Sequence, residues 1–573
     1  MKRRYFLLAV GSATGTLLAT DSCSSTASFI SGTVPQPPNQ AIALTARYAK
    51  TTIAGYTLHT RTYDGKTHGP IVETHPGQTL SFEIINELPA NPPEKVPASA
   101  LVPWYRNEME AMGPARRRPH AYRLSTNIDK DNNPHGFNTT NLHVHGIQTV
   151  PHLFKPIGTS DPAAMMIEIE PGKRFRYDFP IPVDHPSGLF WYHPHKHGSS
   201  DVQISGGMAG LIVVRGAIDA VPEIAAAREI FMVVQTLDVN KSATDPHVYE
   251  REYKAYKTPA EGGYNDETDY TMMTVNGQGI NWVNNDTGVN LPLGTPEFTM
   301  APGEVVRLRL LNATGYYALA LALPEFETWQ IGFDGINLLE ATKKDMSGTG
   351  VTLIDPNNVF DAPIQLASPA NRIELLLKAP AKPGTYTLSS LATNGLSDRT
   401  KQPPKTALAR FVVSGSPVTM QIPTSLPRPT REYPLIRDEE IVAKRTFAFQ
   451  FAPSTRILDG FEFPINGELY EMSKCQTSVR AGTCEEWRIE SADQVNAHPF
   501  HLHTNSFEVV AINDKPLDPV QIWDTFMLPQ QTDGVNGSIT IRIRFKQWRG
   551  KDVFHCHILT HEDTGMMQNF LIG

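Results

Sequence analysis

Cysteine is scarce: four occur in 573 residues, too few for a fold held together by disulfides. Charge of one sign is also lacking. Lys and Arg total 51 against 59 Asp and Glu, a formal net charge of −8, which argues against broad nucleic-acid binding. Beyond the first 30 residues no apolar run approaches the ~18 residues a membrane-spanning helix needs, so a chain with no transmembrane segment is expected. Long amphipathic helical patterns are scarce as well. What is present is a hydrophobic share of 40%, enough for several cores, and a length that at about 150 residues per domain suggests three or four domains.

Residues 1–30 read as an export signal rather than as part of the fold. Lys2-Arg3-Arg4 gives a positive start before an apolar and small-residue stretch to Thr20, too short and interrupted to span a bilayer. Arg3-Arg4 followed by Tyr5-Phe6-Leu7 resembles a twin-arginine signal; an ordinary secretory signal is the competing reading. Either one predicts an exported protein, periplasmic or extracellular.

The remainder reads as all-β. Short alternating runs are broken by 41 Gly and 46 Pro, the punctuation of strands and turns. Three stretches, 76–86, 302–312 and 481–490, each run from a Gly turn into a strand with alternating apolar positions. Their wide separation suggests three copies of one β-sandwich unit. The expected division is 40–216 with an insertion at 89–138, then 225–414, a proline-rich linker at 415–434, and 435–573.

The 19 histidines are not scattered. Four His-x-His pairs stand out: His143/His145, His193/His195, His501/His503 and His555/His557. Residues two apart on a strand project from one face, so each pair can present two imidazoles to one cavity, and eight neutral imidazoles suit soft-to-borderline metal ions. The last motif narrows the choice. Cys556 lies between His555 and His557 and points to the opposite strand face. His561 and Met566 can return to the thiolate, and His498 completes two imidazoles, a thiolate and a weak thioether, the donor set of a blue-copper electron-transfer site. A closed structural zinc site takes four strong ligands and no thioether.

These motifs, His143-Val144-His145-Gly146, Trp191-Tyr192-His193-Pro194-His195, His498-Pro499-Phe500-His501-Leu502-His503 and the run from His555 to Met566, resemble the four copper-binding signatures of the multicopper oxidases. The resemblance implies three cupredoxin-like Greek-key β-sandwich domains and four copper ions. It implies that His498, Cys556, His561 and Met566 hold a type 1 copper and that His143 and His501 hold a type 2 copper. His145, His193, His195, His503, His555 and His557 would then hold a type 3 pair. It further implies dioxygen as the acceptor, reduced to water by four electrons taken singly from a donor. Glu562 follows a ligand directly, where family members often carry a carboxylate, and is the candidate proton donor. Many relatives have Asp-Gly shortly after the first motif. Here Ser160-Asp161-Pro162 occupies a comparable place, so Asp161 is the expected second carboxylate.

Two donor classes follow from the resemblance: phenols or aromatic amines, as for a laccase, and Cu(I), as for a cuprous oxidase. Nothing like the Met-rich insertion of cuprous oxidases lies between Trp487 and Met566, which favours the aromatic donor. A non-catalytic scaffold on the same fold is the remote alternative, since scaffolds lose ligands and this chain keeps them all. His197 is expected as a supporting or surface residue and His152 has no role. Asp524 is expected to anchor a loop. Cys475 and Cys484 are read either as a disulfide or, for Cys484, as a buried thiol.

Overall fold

The computed structural model describes residues 41–91, 129, 131–252, 268–285, 287–351, 362–392, 405–454, 457, 461–494 and 496–573, with strand pieces at 33–35, 101–103, 121–123, 254–255 and 264–265. The export signal and most of the 89–138 insertion lie outside these residues. The molecule is 49% strand and 5% helix, so the all-β expectation holds.

Each unit pairs two sheets around an apolar interior. In the first, one sheet runs Thr33–Pro35, Ile71–Thr74, Gly210–Val214, Gly188–His193, His143–His145. It faces a layer of Tyr56–Tyr63, Ile42–Ile53, Thr79–Asn86 and Arg174–Pro180, with Leu44, Phe82, Val144, Tyr177 and Tyr192 in the core between them. That second layer continues through Val248–Glu250 into the strand Arg228–Lys241 and so into the second unit. The third unit stacks the sheet Ile441–Phe449, Cys484–Ser491, Gly537–Arg544, Phe507–Ile512, Lys515–Trp523 against Cys475–Val479, Met567–Ile572, Gly550–Cys556, Pro499–Leu502, Thr525–Met527.

Alternation and register place the histidines. In the strand Gly188–His193, Tyr192 turns into the first core while Trp191 and His193 face the other way. His193 pairs with His143 and Trp191 with His145 across the antiparallel ladder. In the third unit His501 pairs with His555 and Phe500 with Cys556. Phe500, Phe554 and Cys556 belong to the core, so the intervening His501 and His555 leave on the opposite face, as a period of two requires. Burial of each such apolar side chain stabilises this register by about 1.5–3 kcal/mol. A slip by one residue would turn the imidazoles into the core.

The two cysteines are free thiols, Cys475 half-buried and Cys484 buried. They start strands in different sheets of the third unit, so the disulfide expectation is corrected and the buried-thiol reading of Cys484 stands. One buried acid in this unit has a measurable consequence. Glu508 is 5% exposed and accepts from the Ile436 backbone N–H at 2.9 and 3.1 Å. Burial outweighs that bond and raises its carboxyl to about 7. The folded chain therefore keeps a proton that the unfolded chain releases near the ordinary carboxylate value, and stability falls as pH rises through this window. Glu508→Gln should abolish that loss, worth up to about 3 kcal/mol. Melting curves should show the variant gaining on the parent between about pH 5 and about pH 8.

Candidate metal centre

The eight paired histidines meet in one nest between the first and third units. Their side chains are buried, and two cross-unit stacks set its walls. His143 lies on His503 with ring centroids 4.0 Å apart, and His145 lies on His501 at 3.8 Å. His195, His503 and His555 converge through their Nε2 atoms, with His195 and His503 each 3.1 Å from His555. His557 completes the ring, its centroid 5.1 Å from His145 and 5.5 Å from His193.

Groups on the outer side of every ring but His557 set which nitrogen faces inward. His193 Nδ1 donates to the Pro194 carbonyl at 2.8 Å, His501 Nδ1 to the Asp524 carbonyl at 2.7 Å, and His555 Nδ1 to the Cys556 carbonyl at 2.8 Å. His143 Nδ1 lies 3.0 Å from His152 Nε2. His152 in turn places Nδ1 3.1 Å from the Val150 carbonyl and accepts the Val144 N–H at Nε2. That arrangement makes His152 Nε2 an acceptor and leaves His143 Nε2 unprotonated. His145 is reversed, with Nε2 3.3 Å from Asp524 Oδ1. Carboxylates also back His503 (Asp552, 3.3 Å), His195 and His555 (Glu562, 3.3 and 3.5 Å).

The nitrogens left over are orphaned. His143 Nε2, His145 Nδ1, His193 Nε2, His501 Nε2 and both His557 nitrogens are buried without a hydrogen-bond partner. Unpaired buried polar atoms are costly, and so many in one nest need a common partner. Burial, followed by neighbouring imidazoles, pushes His143, His195, His503 and His557 well below the ordinary histidine value, and His145 and His501 likewise with Arg372 contributing. His193 falls to about 3 and His555 to about 4, burial being the main cause. The nest is therefore neutral, as metal-ligating imidazoles must be.

A second cluster lies on the far side of Cys556. Its Sγ is 3.6 Å from His498 Nδ1 and 3.8 Å from His561 Nδ1, and those two nitrogens are 3.3 Å apart. Met566 is buried beside them, its carbonyl accepting the Cys556 N–H at 3.1 Å. Asp493 Oδ2 lies 3.1 Å from His498 Nε2, and Phe463 stacks on His561 at 3.8 Å. One tripeptide thus enters both clusters.

Two family models, each described as multicopper oxidase, match residues 125–218 and 442–573, the stretches that carry all four motifs. These models and the curated relatives support the multicopper oxidase family for this chain. It is 24% identical over 455 residues to the multicopper oxidase mco of Staphylococcus haemolyticus, covering 78% of this chain and 77% of that one. It is 28% identical over 233 residues to a laccase of Haloferax volcanii, 39% of this chain and 37% of the other. The fold is that of a laccase-like multicopper oxidase, CueO, from an Ochrobactrum species (TM-score 0.63, 20% identity, 94% and 98% covered). It is likewise that of a multicopper oxidase from Campylobacter jejuni described as a metallo-oxidase (TM-score 0.62, 20%, 94% and 93%).

Not every expected residue reaches the centre. Asp161 is exposed, its Oδ1 accepting the Ala163 N–H at 2.9 Å; the carboxylate beside the first motif is Asp524, from the third unit. His197 is buried against Tyr470 and Asn132 outside the nest. His152, Asp493, Asp552 and Arg372 carried no spacing signal that would have marked them.

Proposed function

We propose that the chain is a copper-dependent oxidase of phenolic or aromatic amine donors that reduces dioxygen to water, exported to the periplasm or beyond. We place its domains at 40–216, 225–414 and 435–573, a division the sheet pairs support. His498, Cys556, His561 and Met566 would hold a type 1 copper, and His143 with His501 a type 2 copper. The type 3 pair would be held by His195, His503 and His555 on one ion and by His145, His193 and His557 on the other, a partition the Nε2 triad and the centroid distances support. The orphaned nitrogens and the soft donor set around Cys556 fit copper. When bound, these ions supply one-electron transfer at the thiolate site and four electrons to dioxygen at the nest.

The chain's own part is wiring, shape and protons. Cys556 is joined by peptide bonds to His555 and His557, and the Cys556 carbonyl accepts the His555 Nδ1–H. This gives a short covalent and hydrogen-bonded path between the clusters. Outer-face acceptors hold the imidazoles other than His557 in the tautomer that leaves a lone pair inward. Glu562 holds a proton beside the nest. The observation that carries the reading is Cys556 between His498 and His561 on one face while its neighbours join the nest on the other.

A second reading, oxidation of Cu(I), draws on the metallo-oxidase among the solved relatives. Oxygen uptake by the copper-loaded protein with a methoxyphenol and with Cu(I) separates the two. The phenol should drive steady uptake at four electrons per dioxygen. Preference for Cu(I) by orders of magnitude would overturn the aromatic donor.

A further inference from the structure

The second unit brings no imidazole to the nest, yet it reaches it. Arg372 opens the strand Arg372–Lys378 of that unit and is fully buried. Its Nη1 donates to Asp524 Oδ1 at 2.9 Å and its Nη2 to Asp524 Oδ2, a two-point grip that fixes the carboxylate plane. Its Nε donates to the Leu189 carbonyl of the first unit at 3.2 Å. Asp334, also of the second unit, accepts the backbone N–H groups of Asp524 and Thr525 at 3.3 and 3.2 Å, and Asn371 donates to the Thr525 carbonyl at 2.9 Å.

Asp524 then faces two nest imidazoles. Its carbonyl accepts from His501 Nδ1, and its Oδ1 lies 3.3 Å from His145 Nε2. Thr525 Oγ1 closes the group, 2.9 Å from Asp524 Oδ1 and 3.0 Å from His501 Nδ1. Gly146, at φ +81°, makes room: a Cβ there would strike Arg372 Nη2 and Asp524 Oδ2. The glycine closing the first motif is therefore needed for the second unit to approach.

We propose that the Arg372–Asp524 ion pair, braced by Asp334, is a positioning device through which the ligand-free second unit sets the tautomer and orientation of His145 and His501. The argument rests on the copper assignment above. His145 is the imidazole that turns Nδ1 inward, so it needs an acceptor at Nε2; without one, the tautomer protonated at Nδ1 points its hydrogen into the nest. Asp524 Oδ1 and Thr525 Oγ1, each 3.3 Å from His145 Nε2, offer that acceptor, and the hydroxyl is itself oriented by donating to Asp524 Oδ1; Asp161, exposed on its own loop, does not reach this place. Asp524 contacts the imidazoles of His145 and His501, so its effect passes through them.

The test compares copper-loaded parent, Asp524→Asn and Arg372→Lys by paramagnetic resonance, by absorption of the blue site and by copper retention against a chelator. In Asp524→Asn the guanidinium holds the amide oxygen, which turns the amide N–H groups toward His145 Nε2. The nest should then release copper about 10–100-fold more readily, the usual effect of losing a partner behind a ligand. Asparagine keeps the backbone carbonyl behind His501, so the change should fall on the type 3 pair that His145 would help to hold, seen as a new paramagnetic signal from uncoupled ions, while blue absorption and type 1 potential stay at parent values. Arg372→Lys keeps the charge but loses the two-point grip and should move the same readouts less and in the same direction; it also serves if Asp524→Asn does not fold. Unchanged retention with a type 3 pair that stays silent in both variants would overturn the proposal. So would parallel loss of both sites, which marks a merely structural residue. A parent with no blue site and no type 2 signal would instead remove the copper assignment, and this inference with it.

Discussion

Cys556→Ser should abolish the blue absorption and slow donor oxidation by about 10⁴-fold or more, the scale of removing a group on which the whole reaction depends. The reason is geometric. Cys556 Sγ lies within 3.6–3.8 Å of both His498 Nδ1 and His561 Nδ1, and the same residue links two nest imidazoles through the backbone. A serine hydroxyl is a hard, weakly acidic donor and does not replace a thiolate on a copper ion. The side chain is fully buried, and burial pushes its thiol well above the ordinary cysteine value, so the free chain carries a neutral thiol that metal binding must deprotonate. The substitution removes one buried sulfur and leaves the strand Gly550–Cys556 and its pairing with Phe500 in place. The nest should accordingly keep its copper and its type 2 signal. Absorption and copper analysis of the purified variant, with stopped-flow mixing against the phenol, check this. A variant that stays blue, or that turns over at the parent rate, would remove Cys556 from the electron path.

Glu562→Gln should act on the other half of the reaction. The carboxyl is fully buried. Its Oε1 accepts from Ser200 Oγ at 2.8 Å and lies 3.3 Å from His195 Nδ1, while Oε2 lies 3.5 Å from His555 Nδ1 with no hydrogen-bond partner. Burial, followed by the charge of Asp563, raises its pKa well above the ordinary glutamate value. A proton is therefore held on a buried oxygen beside two nest ligands, at a distance from bulk water. Positioned acids contribute typically 10²–10⁴-fold. Glutamine keeps the shape and the Ser200 contact but has no acidic proton to give. Reoxidation of the fully reduced variant by dioxygen should slow by about 10²-fold or more, while anaerobic reduction of the blue site by the donor keeps its parent rate. Equal small effects on both half-reactions would strip Glu562 of the role.

The histidine pairs were legible in the sequence because a strand has period two, so spacing alone says that His143 and His145 share a face. The register of His501 against His555 then brings separate pairs side by side. What stayed hidden is whatever depends on contacts between distant strands. Asp524 stands 379 positions from His145, and Arg372 stands 152 from Asp524; no local pattern couples them. His152 is only nine residues from His143, yet it follows a loop whose course depends on packing. Asp161 misled for the same reason. A place in the motif order suggested a carboxylate at the nest, and the loop instead carries it to the surface.

The central claim is that one tripeptide serves two separate copper clusters. Copper analysis joined to paramagnetic resonance of the oxidised, fully loaded protein tests it most directly. Four ions per chain are predicted, of which two give signals, one from the narrow-coupled blue centre and one of ordinary tetragonal character, while the remaining pair is silent. A colourless protein, or one whose copper resides in a single class of site, would contradict it.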